Sequence, residues 1–161
     1  MKNCAYLDIE TTGFNPFYSS LTVIGIHLEN GNNHVIQLVG SKIYSSELLR
    51  LIEQVDVIYT YNGARFDLPY IKAKLHIDLK EYSTHKDLMY ECWQRKLYGG
   101  LKNVERQLGI KRKLTDIDGC IAVQLWHDYK QTGNEESLET LLKYNREDVL
   151  NLKKLRGRLG I

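Results

Sequence analysis

The sequence predicts an α/β domain with a mixed central sheet of about five strands flanked by helices. Three observations carry that prediction. The first 40 residues hold three strand-like runs that read as an antiparallel meander. Short apolar runs then alternate with helical segments, and from Asp87 onward the pattern is helical. The 161 residues suffice for one core without disulfides, and no repeat, low-complexity stretch or linker divides them, so a single domain over 1–161 is expected. Hydrophobic residues at 43% and charged residues at 26% exclude a disordered, collagen-like or coiled-coil chain.

Each element has its own signal. Cys4 to Ile9 is a short apolar strand, and Leu21 to Leu28 (LTVIGIHL) is β-rich. His34 to Val39 alternates, and Asn30-Gly31-Asn32-Asn33 before it reads as a hairpin turn. Ser45 to Gln54 is helical, with Leu48, Leu49, Leu51 and Ile52 on its apolar side. Asp56 to Tyr61 is a buried strand, turned by Asn62-Gly63. Arg65 to Leu75 is a helix that tolerates Pro69 near its first turn, and Tyr82 to Lys86 is a fifth strand. Gly99-Gly100 and Gly109 punctuate the helical half, whose long segments are Gly119 to Gln131 and Glu135 to Leu159.

No apolar run approaches the roughly 18 residues of a membrane span. The start opens straight into a strand, which is not the pattern of a signal peptide. Three widely spaced cysteines without a CxxC predict reduced thiols in a cytoplasmic protein, with Cys4 and Cys120 as small core residues. The five histidines are scattered without ligand spacing, so no zinc site is expected. The net charge of +2 hides an asymmetry. From Arg95 to Lys113 there are seven basic residues against Glu105 alone, and the tail adds Lys153, Lys154, Arg156 and Arg158. Such a run suits an anionic partner such as nucleic acid; a solvated helix face is the alternative.

Asp8 and Glu10 lie two apart on a strand, so their side chains leave the same face. Carboxylates that close repel unless a cation or proton sits between them, and their oxygens suit Mg²⁺ or Mn²⁺. A solvated strand end is the alternative. Asp67 shares a helical stripe with Tyr70, Ile71 and Leu75, or else caps that helix. Leu141, Tyr144, Asp148, Leu152, Leu155 and Leu159 recur at spacings of three and four and form one stripe. No basic residue shares that stripe, so Asp148 asks for a counter-charge. A metal held with Asp8 and Glu10 would supply it; a hydrogen bond between Tyr144 and Asp148 is the alternative.

Taken together, these residues resemble the DEDD, or DnaQ-like, 3′–5′ exonuclease superfamily on a ribonuclease H-like fold. Leu7-Asp8-Ile9-Glu10-Thr11-Thr12-Gly13 resembles its first motif. Tyr61-Asn62-Gly63 with Phe66-Asp67-Leu68-Pro69-Tyr70 resembles the second, as in the proofreading domain of family B DNA polymerases. Tyr144-Asn145-Arg146-Glu147-Asp148 resembles the third in its Tyr-x-x-x-Asp form, and Lys143 stands where the other form has histidine, so the resemblance is to the DEDDy subgroup. Gly100 to Glu105 and Leu108 to Trp126 are similar to stand-alone YprB-type ribonuclease H-like proteins.

The resemblance implies two divalent ions, Mg²⁺ or Mn²⁺, and a single-stranded nucleic-acid partner with a free 3′ end, DNA favoured over RNA. Asp8 would bridge both ions, Glu10 and Asp148 complete the first site, and Asp67 serve the second through water. Tyr144 would orient the attacking water, with Glu10 assisting in taking its proton. The backbone of Thr11, Thr12 and Gly13 would meet the terminal nucleotide, Phe66 lie near the terminal bases and Asn62 make a polar contact to the strand; Phe66 as core filler is the alternative. On its charge pattern alone, with Tyr98 interleaved, the run from Arg95 to Lys113 suits the phosphate backbone. An RNA-trimming enzyme, an endonuclease or a catalytically silent binding module on the same fold are the competing functions.

Overall fold

A computed structural model describes residues 2–29 and 34–161. Strands β1 (Cys4–Thr11), β2 (Leu21–Glu29) and β3 (His34–Val39) form an antiparallel meander, while β4 (Val57–Thr60) and β5 (Thr84–Asp87) add in parallel beyond β1. The resulting order is β3-β2-β1-β4-β5. The helices among the described residues are α1 (Ser45–Ile52), α2 (Asp67–Leu75), α3 (Leu88–Gln94), α4 (Leu101–Gln107), α5 (Gly119–Thr132) and α6 (Glu135–Leu159). This is the expected α/β architecture, with the meander first. The Asn30–Asn33 turn lies outside the described residues.

The pleat of β1 separates two cores. Ala5, Leu7 and Ile9 join Ile24, Ile26 and Leu28 on one face, beneath Leu48 and Ile52 of α1 and Ile71 of α2. Cys4 and Tyr6 join Val57 and Tyr59 on the other, against Leu88, Val104 and Leu155. Asp8 and Glu10 continue this second row after its apolar residues end. They therefore emerge at the C-terminal end of a strand parallel to β4, where open α/β sheets hold their ligands. The long helix α6 spans its predicted range and buries the whole stripe from Leu141 to Leu159. Asn134 caps its start through the N–H groups of Glu136 and Ser137, and Gly160, with φ +70°, ends it in a left-handed turn.

Several expectations are corrected. The second helix begins at Asp67 rather than Arg65, because Asn62 adopts φ +63° and the chain turns through Phe66 first. The fifth strand begins at Thr84 because a 3-10 turn over Leu79–Glu81 draws the Tyr82 and Ser83 N–H groups to the Leu79 carbonyl. Cys120 is exposed on α5, whereas Cys4 and Cys92 are buried. The basic tail is divided: Arg156 and Lys153 pair with Glu29, and Arg156 lies 4.6 Å from the Tyr59 ring centroid, while Lys154 and Arg158 are exposed. None of the described helices is long and apolar enough to cross a membrane.

Candidate active site

The sheet and α6 bring Asp8, Glu10 and Asp148 together, with a carboxylate oxygen of each within 4.8 Å of the others. Asp67 stands outside that trio. It is buried at the first turn of α2, where its Oδ1 accepts the Ile9 N–H at 3.1 Å. Its charge still reaches the group: burial pushes the Asp8 and Glu10 carboxyls well up, and Asp148 and Asp67 push both further in the same direction. Asp67 is raised to about 7, again chiefly by burial. These four acids form a concentration of negative charge that favours protons or a cation.

The cross-strand register explains how α6 reaches this row. Asp8 lies opposite Gly25 on β2, and Gly25 opposite Gln37 on β3. Asn145 of α6 fills the space that Gly25 leaves open; a Cβ there would lie 2.1 Å from its Oδ1. Its amide donates to the Asp8 carbonyl and carboxylate at 3.2 and 3.1 Å, and its Oδ1 accepts from Gln37 Nε2 at 2.9 Å. Gln37 also donates to the Leu142 carbonyl, so the amide that orients Asp8 is itself fixed. Asn145 escaped the sequence reading, although its place three residues before Asp148 puts a polar group on the buried stripe.

Asp148 has a counter-charge that its own helix could not reveal. Arg112, from the segment between α4 and α5, donates from Nη2 to Asp148 Oδ1 at 2.6 Å and to Glu105 Oε1 at 2.7 Å. Its Nε completes a two-pronged grip on Glu105, which also accepts from Asn151. Despite burial, the Asp148 pKa reaches only about 6, because Arg112 holds it down. The hydrogen bond expected as one alternative, from Tyr144 to Asp148, is not formed. Nor is the run from Arg95 to Lys113 a single basic face. Arg112 has 5% of its side chain exposed and Arg95 pairs with Glu91.

A cleft of about 670 Å³ opens over Asp8 and Asp148, lined also by Asn62, Lys102, Arg106 and Tyr144 among others. Tyr144 is 8% exposed, and burial beside Asp148 and Glu10 raises its pKa, so the hydroxyl keeps its proton. Its ring lies 4.9 Å from Lys102 Nζ and 5.8 Å from the Arg112 guanidinium carbon. The loop carrying Asn62 is pinned by Asp87, whose carboxylate accepts the N–H groups of Asn62, Ala64 and Met89 at 2.8 to 3.0 Å. Asp87 thus caps α3 and also shapes the second motif. Gly63 is required there, since a Cβ would meet Thr60 Oγ1 at 2.2 Å.

Thr11, Thr12 and Gly13 lie next to Glu10 but do not line this cleft. Their loop is closed internally: Thr11 Oγ1 donates to the Gly13 carbonyl, and Thr12 Oγ1 accepts the Ser20 N–H. Phe66 is half-buried against the core, with its ring centroid 5.5 Å from Tyr70 and 6.2 Å from the exposed Phe14.

A model of the RNase_H superfamily matches residues 5–160. The uncharacterized protein YprB of Bacillus subtilis (strain 168) is 28% identical over 172 residues, an alignment covering 94% of this chain and 40% of that protein. The fold is also similar to the family B DNA polymerase of the archaeon Pyrobaculum calidifontis, with a TM-score of 0.70 and 15% identity over 97% of this chain and 24% of that one. It is similar to Brucella melitensis NrnC with bound Mg²⁺ at a TM-score of 0.65, with 18% identity over 99% of this chain and 73% of that one. The chain therefore spans well under half of YprB and about a quarter of the polymerase.

Proposed function

This chain belongs to the RNase_H superfamily, and on that premise we propose that it is a metal-dependent 3′–5′ exonuclease acting on single-stranded nucleic acid, DNA in preference to RNA. The observation that carries the reading is the meeting of Asp8, Glu10 and Asp148, of which Asp8 and Asp148 line one cleft together with Tyr144. The donor set fits Mg²⁺ or Mn²⁺: every ligand is a hard carboxylate oxygen, the group carries excess negative charge, and Arg112 engages Asp148 through Oδ1, leaving Oδ2. Asp8, Glu10 and Asp148 would hold the ions, with Asp67 serving the second through water. Two such ions, when bound, activate a water and neutralise charge that grows on the phosphate.

The remaining chemistry falls to the chain's own residues. Tyr144, protonated at any working pH, is a hydrogen-bond donor that positions water rather than a base. Glu10 takes the proton of the attacking water. Water oxygen bonds to phosphorus as the bond to the 3′ oxygen of the preceding nucleotide breaks, releasing a nucleoside 5′-monophosphate and a new 3′ hydroxyl. Lys102, beside the Tyr144 ring, supplies positive charge toward the phosphate. Asn62 and Phe66, with the backbone of Thr11, Thr12 and Gly13, border the terminal nucleotide. The three free cysteines fit a reducing cytoplasm.

The test is a time course on 5′-labelled and 3′-labelled single strands of DNA and RNA with Mg²⁺, Mn²⁺ or EDTA. Stepwise shortening of the 5′-labelled strand, release of labelled mononucleotide from the 3′-labelled one, and silence in EDTA are expected. Internal cuts, or cleavage that survives EDTA, would contradict the proposal.

A further inference from the structure

Beside the cleft lies an aromatic patch that the acid site does not use. Tyr90 and Trp93 of α3 are 37% and 36% exposed, whereas Leu88, Met89 and Cys92 of the same helix are buried. The two rings meet edge to face, with centroids 5.4 Å apart. Arg65 lies across both, its guanidinium carbon 5.4 Å from the Trp93 centroid and 5.9 Å from that of Tyr90. Arg65 is exposed and pairs with no carboxylate among the described residues, so its charge stays available.

The patch continues the cleft without being part of it. Met89 lines the cleft, while Tyr90 and Trp93 do not. Trp93 follows Met89 by four residues, which places it on nearly the same helix face about 6 Å further along the axis. Arg65 follows the cleft-lining Asn62 by three residues, in the loop that Asp87 pins. Two part-exposed ring systems with an unneutralised guanidinium, leading out of a nuclease cleft, have the chemistry that grips single-stranded nucleic acid. Bases stack on rings irrespective of sequence, and the cation meets phosphate or the π-face. A protein-docking patch would call for a broader apolar area than two rings capped by a charge.

We propose that Trp93, Tyr90 and Arg65 form a stacking platform for nucleotides of the bound strand that lie beyond those seated at the acids. The proposal rests on the nuclease reading of the cleft and makes activity depend on strand length through α3.

The experiment compares kcat/KM on a dinucleotide and on a single-stranded dodecamer for wild type, Trp93→Ala, Trp93→Phe and Arg65→Ala. Trp93→Ala should lower the dodecamer value about tenfold to hundredfold, the range of one lost base–aromatic stack. It should leave the dinucleotide value unchanged, and Trp93→Phe should restore most of the loss. Equal effects on both lengths, or no effect on the dodecamer, would overturn the platform. A binding arm in EDTA separates this outcome from failure of the nuclease reading. The chain has two tryptophans, so Trp126→Phe leaves Trp93 as reporter. A dodecamer should quench its fluorescence and a dinucleotide should not, whether or not cleavage follows; absence of quenching would overturn the platform even in an active enzyme.

Discussion

Two groups of buried charge meet at Asp148, and they are built in opposite ways. On one side Glu105, 1% exposed, has both oxygens taken up by Arg112 and a further bond from Asn151. On the other, Asp8 and Glu10 meet Asp148, and Asp67 adds its charge from outside that trio; their donors are backbone and amide groups, and among the described residues no arginine or lysine is bonded to Asp8, Glu10 or Asp67. The closed group pairs its charges and serves the fold, although Arg112 Nη1 is buried without a hydrogen-bond partner. The open group keeps a surplus of negative charge, which is costly to maintain and useful where a cation must bind. Asp148 belongs to both: Arg112 holds its Oδ1, and a carboxylate oxygen of Asp148 lies within 4.8 Å of those of Asp8 and Glu10.

Breaking the closed group should have the largest effect on folding. Arg112→Met strands Glu105 and Asp148 as buried acids without their partner, and should cost about 3–5 kcal/mol in urea unfolding. A loss below about 1 kcal/mol would mean that the pair is worth no more than a surface bridge. Tyr144→Phe sharpens the other side of the contrast. The hydroxyl makes no hydrogen bond to Asp148, so stability should stay near wild type while turnover falls roughly 10- to 1000-fold. Unchanged turnover would remove Tyr144 from the chemistry. Gly25→Ala is a smaller perturbation between the two. Its methyl must displace Asn145 from Asp8, costing about 1–3 kcal/mol by overpacking. Adding Asn145→Ala should cancel part of that loss, so a double-mutant cycle that proved additive would refute the contact.

How much of this was legible in the sequence depended on whether the signal was periodic. Alternation in β1 and the three-and-four spacing of α6 foretold which faces would be buried, and so placed Asp8, Glu10 and Asp148 on surfaces that turn toward each other. Arg112 carries no such signal. It lies in irregular chain between two helices, and a count of charges cannot tell a buried guanidinium from a solvated one. Asn145 was hidden for a different reason. Its role exists only because Gly25 and Gln37 stand in register with Asp8 across two strand pairings, and register is not written in any single segment. The two-ended hold of Asp87 on the Asn62 loop and on α3 likewise depends on β5 ending beside β4.

The smallest effect tests the central contrast most directly. In the metal-free protein Asp67 and Asp148 titrate near 7 and near 6, and Asp8 and Glu10 are also raised, all above the unfolded value of about 4. The folded state therefore keeps protons that the unfolded chain has already released, and its stability falls as pH rises from the unfolded value of about 4 until these groups ionise, about 6 for Asp148 and about 7 for Asp67. The measurement is the melting temperature of wild type and Asp8→Asn at about pH 5 and about pH 8, with and without Mg²⁺. Metal-free wild type should melt lower at the higher pH, and Mg²⁺ should restore it there while doing little at the lower pH. Asp8→Asn should show a shallower fall with pH and little response to the ion. A wild-type melting temperature that Mg²⁺ leaves unmoved at the higher pH, or an equal rise in Asp8→Asn, would contradict the assignment of this carboxylate group as a metal centre.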